Sequence, residues 1–267
     1  MLKKLFKKFQ DKGIGGVLAS LQRKVFPAKA PQSPVQRCLP EVLKKEDFVI
    51  VQIGAYVGNS DNDPLFHALT SQTFLHNSKS HKLVFVEPVK EYYDRLVENY
   101  SCLTQASFEN VAISDHDGPA TFFRLGVDPV AYGYPEWLSQ ISSLKEERSG
   151  SMWEQYDGHA NEKEIQEFYL KHRIQTEVNC ITFEMLLERH SISHIDLLQI
   201  DVEGFEFEIL RSIDFNKIPI RFINYESTLL FDNKEACEQM LGALGYSFLD
   251  FSQDTFCFRK DDQGLFC

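Results

Sequence analysis

The sequence predicts an α/β fold: a doubly wound, mostly parallel sheet closed by a C-terminal antiparallel hairpin. Three observations predict it. From Phe48 onward, short apolar runs alternate with amphipathic segments of helical spacing. The runs FVIVQIG (48–54) and IDLLQID (195–201) are almost wholly apolar, as strands covered on both faces are. The chain then ends in two adjacent strand-like runs, YSFLDFS (246–252) and DTFCFRK (254–260), with no helical segment between them.

The elements follow in order. FVIVQIG is the first strand. A helix is expected from Pro64 to about Leu75, with Asp63 as its cap and Pro64 at the first helical position. KLVFVEP (82–88) is the second strand, and VKEYYDRLVENY (89–100) an amphipathic helix. FENVAIS (108–114) reads as the third strand, and the turn DHDG (115–118) leads into ATFFRL (120–125) as a hairpin extension. Residues 126–175 lose clear periodicity and hold Trp137, Trp153, Tyr132, Tyr134 and Tyr156, with a helical patch near 161–172. Regular order returns with EVNCI (177–181), the helix FEMLLERH (183–190), the strand 195–201 and a helix from Phe205 to about Ile213. RFINYES (221–227) is the fifth main strand, followed by a helix around 233–244.

Composition agrees with a packed domain. Of 267 residues, 43% are apolar and 25% charged, so disorder is excluded as the dominant state. The 22 Phe suit strands packed on both faces. A net charge of −11 argues against a nucleic-acid partner, which would call for a basic face. The average hides an asymmetry, however. Residues 1–29 hold seven Lys and Arg23 against Asp11, a balance of +7, which leaves −18 on the remainder.

The six cysteines form no CxxC pair, so neither a zinc nor a dithiol motif is expected. No apolar run approaches the ~18 residues needed to span a bilayer. The N-terminus lacks the apolar stretch and cleavage site of a secretory signal. A cytoplasmic protein with free thiols is the expectation.

Residues 1–26 place Leu2, Leu5, Phe6 and Phe9 on one helical face with lysines opposite. PAKAPQSP (27–34) reads as a linker. The expected organisation is therefore a basic amphipathic helix and linker over 1–34, then one domain over 35–267 with an insert at about 126–175. The N-terminal helix either packs on its own domain or contacts an anionic membrane at the inner face.

In such a sheet, ligands bind outside the carboxyl ends of the strands, where strand order reverses. The first strand ends in Gly54-Ala55-Tyr56-Val57-Gly58-Asn59, whose glycines permit a tight turn beside a ligand or serve as a plain structural turn. The second ends in Glu87-Pro88. An acid there can accept hydrogen bonds from ribose hydroxyls, a logic that suits NAD and S-adenosylmethionine alike. Against NAD, the third glycine of GxGxxG is missing. The most specific segment is IDLLQIDVEGFE (195–206), a nearly apolar strand running into Asp201 and Glu203, then Gly204 and a helix start. Glu203 and Glu206 also suit the positive end of a helix, which does not account for Asp201 at the end of a buried strand.

IDLLQIDVEGFEFEIL, with VQIGAYVGN and VFVEPVKEYYDRL upstream, resembles the FkbM family of S-adenosylmethionine-dependent methyltransferases. NVAISDHDG (110–118) and ITFEMLLERHSISHIDLL (181–198) extend the resemblance, which covers roughly residues 48–227. It implies a class I methyltransferase fold and O-methylation of a hydroxyl on a sugar, glycolipid or secondary metabolite. Three positions depart from the family's usual pattern: Gln52 stands where Asp is usual, Gln199 where Lys is usual, and Tyr56 where Asn is frequent.

The resemblance implies roles for particular residues. Gly54, Ala55 and Gly58 shape the turn beside the amino-acid part of S-adenosylmethionine, with Gln52 and Asn59 completing that set. Glu87 holds the ribose, and Asn110, Val111 and Ala112 flank the adenine. Asp201 lies near the sulfonium and the incoming hydroxyl. A hydroxyl is a weak nucleophile at neutral pH, so Asp201, Glu203 and Glu226 are the candidate proton acceptors. No metal is assigned, the alternative being Mg²⁺ on Asp201, Asn224 and Glu226, all hard oxygen ligands. His194 reads as a loop residue. The aromatic segment 126–175 reads as a lid or acceptor-binding insert, in which Trp137 and Trp153 either stack on a sugar or anchor the insert.

Overall fold

The computed structural model describes residues 31–60, 63–75, 80–146 and 162–266. The expected helix over 1–26, Trp153 and Tyr156 lie outside these described residues.

A helix at Pro34–Lys44 opens the described chain. The Ser33 hydroxyl accepts from the Gln36 amide at 3.2 Å and the Gln36 side chain accepts from the Ser33 amide at 3.0 Å, a reciprocal cap. Ser33 and Pro34 thus belong to the helix and not to the expected linker. Proline at a first helical position begins a helix as readily as it breaks one, and the cap decides between them. The buried residues Val35, Cys38, Leu39 and Val42 recur at helical spacing and pack on the sheet.

The main sheet has seven strands in the order β10-β11-β9-β8-β1-β2-β3. These are β1 (Val49–Ile53), β2 (Lys82–Val86), β3 (Ala106–Glu109), β8 (Ile195–Ile200), β9 (Ile220–Glu226), β10 (Tyr246–Phe251) and β11 (Asp254–Arg259). The first five are mutually parallel, while β11 runs antiparallel between β9 and β10. The chain leaves β1 to one side through β2 and β3, then returns to the other through β8 and β9. Strand order therefore reverses between β1 and β8, which opens a crevice at their carboxyl ends.

Helices cover both faces, which explains the continuous apolar runs. On one face Phe48, Ile50, Phe85, Leu197, Phe222 and Phe256 meet the helices Pro34–Lys44 and Lys90–Asn99. On the other, Val51, Ile53, Leu198, Ile200 and Ile223 meet Phe183–His190, Glu206–Ser212 and Asn233–Ala243.

The expected helix 64–75 is two short ones, Phe66–Leu69 and Gln72–Leu75. Asp63 does cap the first, accepting from the amides of Leu65 and Phe66 at 2.7 and 2.9 Å. The expected third strand also divides. Residues 106–109 pair with β2 as β3, whereas β4 (Ala112–Ser114) joins a second sheet of order β4-β7-β5-β6. Asn110 sits at the break, and its Nδ2 donates to the Glu87 and Pro88 carbonyls at 2.9 and 3.0 Å. That side-chain anchor ends the ladder although the apolar pattern continues.

In the second sheet β5 (Gly118–Leu125) pairs antiparallel with β7 (Arg173–Thr182) and with the short β6 (Ser142–Ser143). Between β5 and β6 lie single-turn helices at Pro129–Tyr132 and Glu136–Ser139, and the helix Glu162–His172 precedes β7. This insert has its own apolar cluster, with Leu138, Ile141, Ile165, Phe168 and Tyr169 packed together and Trp137 against them.

Candidate active site

The site is built from two rows of residues at the carboxyl ends of the parallel strands. In a parallel sheet, residues in register share a face, as do residues two apart along one strand. Phe85, Gln52, Gln199 and Asn224 are in register across β2, β1, β8 and β9. Phe256 of β11 pairs with Asn224. Two residues further along, the chain places Glu87, Gly54, Asp201 and Glu226, with Asp254 opposite Glu226 on β11. The sequence candidates from four separate strands therefore meet along one edge.

The turn after β1 requires its glycines. Gly54 has φ +79°, and a Cβ there would lie 1.6 Å from the Asp201 carbonyl oxygen, so the β1 and β8 loops touch backbone to backbone. Gly58 has the same φ, and a Cβ would strike the Tyr100 ring at 2.6 Å. Between them Tyr56 also adopts a left-handed φ of 48°. It is held there by its amide donating to Glu87 Oε2 at 2.9 Å.

Glu87 is 4% exposed, and its other oxygen accepts from the Val89 amide at 2.8 Å. Burial pushes its carboxyl up to about 8, against the lowering effect of those two amides. Asn110 braces the same turn through the Glu87 and Pro88 carbonyls. Ala55, Val111 and Ala112 point their side chains into the core, so they offer a ligand only backbone. Asn59 is exposed.

The segment after β8 explains the spacing of DVEGFE. Glu203 and Gly204 both have positive φ, 58° and 96°. The wholly buried Glu206 folds back and accepts from the amides of Val202 and Gly204 at 3.0 and 3.2 Å through one oxygen, and from Gly204 at 3.0 Å through the other. By sequence alone Glu206 is a helix-terminal acid. In the structure its carboxylate holds the turn that presents Asp201 and Glu203. Burial raises Glu206 to about 7 despite those amides.

The carboxylates crowd together. One oxygen from each of Asp201, Glu206 and Glu226 lies within 4.8 Å of the others. Burial, then Glu203, then Asp201 raise the Glu226 carboxyl well above the usual range. Asp201 is raised by its walled-in position and by Glu203 and Asp254, although its side chain keeps solvent access that tempers the effect. Glu226 Oε2, Gln199 Oε1 and Gln52 Oε1 are buried without a hydrogen-bond partner. Gln52 donates to Asp63 Oδ2 at 3.0 Å and Asn224 to Asp254 Oδ2 at 2.7 Å, which ties both amides to neighbouring acids. His194 stands away from this edge, 3.4 Å from Asp196 at the start of β8.

The insert roofs this edge. Lys145 Nζ donates to the Gly204 carbonyl at 2.6 Å and pairs with Glu208 at 2.9 Å. Leu229, just past β9, belongs to the insert's apolar cluster, and the Tyr56 hydroxyl meets Ser139. Between the helix Lys90–Asn99 and the insert, beside Tyr56, lies a cavity of about 550 Å³ lined by Tyr56, Tyr92, Arg95, Arg124, Glu136 and Ser139, among others; Asp201, Glu203 and Glu226 are not part of its lining. The Tyr56 and Tyr92 rings meet edge to face at 4.6 Å. Sequence reasoning assigns no role to Tyr92, Arg95, Arg124 or Lys145: the first two lie within a segment that carries the resemblance but on its helix and not at the strand end, and the other two lie on β5 and in the insert, which carry no motif.

A family model described as the methyltransferase FkbM domain matches residues 52–248, a span that holds every candidate from Gln52 to Glu226. No curated protein matches in sequence. Among solved structures, the Methanococcus jannaschii fibrillarin pre-rRNA processing protein is similar at 8% identity and a TM-score of 0.37, over 85% of this chain and 68% of that one. The delta-N METTL16 MTase domain gives 11% and 0.37, over 93% and 96%. A human methyltransferase 10 domain containing protein gives 10% and 0.37, over 94% and 99%.

Proposed function

The chain belongs to the FkbM methyltransferase family, and from that premise we propose that it transfers a methyl group from S-adenosylmethionine to a hydroxyl of a sugar, glycolipid or secondary metabolite. The family makes it an S-adenosylmethionine-dependent methyltransferase, and the sheet order is that of the class I fold with its C-terminal hairpin. The observation that carries the reading is the alignment of Glu87, Gly54, Asp201 and Glu226 along one edge of the strand-order reversal.

The residues present fit the cofactor. Gly54 lets the turn after β1 lie directly against the Asp201 backbone, which brings the ends of β1 and β8 together, and Glu87 puts an acid at the end of the neighbouring strand. Gly54, Ala55 and Gly58 would meet the amino-acid part, with Gln52 and Asn59 nearby. Glu87 would take the ribose hydroxyls, and the backbone of Asn110, Val111 and Ala112 would border the adenine. When bound, S-adenosylmethionine supplies an activated methyl group; the protein supplies orientation and a place for a proton. Asp201, Glu203 and Glu226 are the groups that accept the acceptor's hydroxyl proton. Burial first, and then the neighbouring acids, raise the Asp201 and Glu226 carboxyls, which makes these two stronger bases than isolated carboxylates. The cavity beside Tyr56 would take the body of the acceptor, with its hydroxyl reaching from there toward the acids at the strand ends.

The test begins with glycan and lipid extracts incubated with S-adenosylmethionine, followed by mass spectrometry for the gain of one methylene. On the acceptor so identified, Asp201→Asn or Glu203→Gln should lower turnover by about 10²–10⁴-fold, the scale of a lost general base. Cofactor affinity should fall far less. Equal losses in both would reassign these acids to holding the cofactor.

We also propose that residues 1–26 contact an anionic membrane surface. The support is compositional, since the segment lies outside the described residues. Among the described residues, no helix is long and apolar enough to cross a membrane.

A further inference from the structure

The carboxylates of Asp201, Glu206 and Glu226 converge from the end of β8, the helix that follows it and the end of β9, each with one oxygen within 4.8 Å of the other two. Among the described residues, no lysine or arginine ion-pairs with any of them; the nearby Lys145 is committed to Glu208 and the Gly204 carbonyl. Glu226 is 6% exposed, and its Oε2 is buried with no hydrogen-bond partner. An acceptor atom withdrawn from water and left unmatched costs free energy, so the geometry calls for a donor or a cation at that point. Asp201 keeps solvent access, which provides an entry path and leaves coordination positions for water or a hydroxyl.

We propose that Asp201, Glu206 and Glu226 form a binding site for one hard divalent cation of the Mg²⁺ class. Every ligand atom offered is a carboxylate oxygen, and no sulfur or imidazole joins them, which selects Mg²⁺, Mn²⁺ or Ca²⁺ over zinc or copper. Glu206 joins Asp201 and Glu226 of the ligand set that the sequence suggests; Asn224 Nδ2 donates to Asp254. The cation's role in catalysis rests on the methyl-transfer reading: it would hold the acceptor hydroxyl and lower its pKa. The site itself rests on the geometry alone.

The test is Mn²⁺ binding by electron paramagnetic resonance, on the full chain stripped with EDTA and desalted. Wild type should bind one Mn²⁺ per chain, and Mg²⁺ should displace it. Glu226→Gln should weaken Mn²⁺ at least tenfold while S-adenosylhomocysteine still binds, which shows that the variant is folded. Should that variant not fold, the Mn²⁺ stoichiometry and Mg²⁺ competition in wild type decide. Absence of stoichiometric Mn²⁺, or equal affinity in a folded Glu226→Gln, overturns the site. Wild type that binds S-adenosylhomocysteine but not Mn²⁺ sinks this proposal and spares the methyltransferase reading. Mn²⁺ binding without any cofactor binding does the reverse.

Discussion

Glu87 shows how one residue couples fold to function. Its carboxyl holds Tyr56 in a left-handed conformation and accepts from Val89 at the start of the helix after β2, so the loop after β1 and the end of β2 share a single clasp. The clasp has a pH signature. The folded carboxyl titrates at about 8 against an ordinary 4.5, so between those values the unfolded chain releases a proton that the folded chain keeps. Folding stability should therefore fall as pH rises from about 4.5 through about 8 and level off above. Each tenfold difference in proton affinity between the folded and unfolded chain is worth about 1.4 kcal/mol at most. Glu206, at about 7, adds a component of the same sign over a narrower range. Glu87→Gln cannot ionise, so its urea midpoint should decline less steeply between pH 5 and 8 than that of wild type. Parallel profiles would mean that the Glu87 carboxyl is not held neutral by burial.

At the scale of elements, the strap from the insert to the β8 loop is the most exposed to test. Lys145 bonds the Gly204 carbonyl at 2.6 Å beside the left-handed turn of Glu203 and Gly204. Lys145→Ala should loosen the insert where it meets the β8 loop and lower kcat/KM for the acceptor by about tenfold, the value of one charge-assisted hydrogen bond. Affinity for S-adenosylhomocysteine should stay unchanged in calorimetry, because Gly54 and Glu87 are untouched. An unchanged KM for the acceptor would confine Lys145 to a surface role. Elements differ in how far the sequence discloses them. β1, β2 and β8 are legible because burial on both faces writes a nearly continuous apolar run, and β9 and the hairpin because they are strand-length runs rich in aromatic residues. The division of FENVAIS into β3 and β4 is not, because it follows from Asn110 reaching carbonyls more than twenty residues away. The acids of the site are legible as strand ends after β2, β8 and β9. The row of Gln52, Gln199 and Asn224 beneath them is not, since three amides on three strands become neighbours only through the register of the sheet. Gln52 and Gln199 look like departures from a family pattern when read singly. In register they are adjacent members of a buried polar floor under the carboxylates.

At the scale of the molecule, the charge is divided. Residues 1–29 carry +7 and the remainder −18, with a proline-bearing segment between them. Simple attraction would fold such a tail back on its own acidic body, whereas an anionic bilayer competes for the same lysines and also takes up Leu2, Leu5, Phe6 and Phe9. Each Lys near such a surface contributes about 1 kcal/mol, and the apolar face adds a component that salt does not screen. Several lysines acting together therefore suffice for reversible attachment, and fold-back on the body gains only the screened electrostatic part. Flotation with phosphatidylglycerol vesicles should carry the full chain to the lipid fraction at low salt. Binding should weaken at high salt and vanish when residues 1–26 are removed, while the truncated chain still binds S-adenosylhomocysteine. Attachment to a bilayer would bring the cleft to acceptors carried on lipid, so the same truncation should cost activity on a membrane-borne acceptor and spare activity on its detached headgroup. A full chain that stays in the soluble fraction at low salt would return the tail to the surface of its own domain.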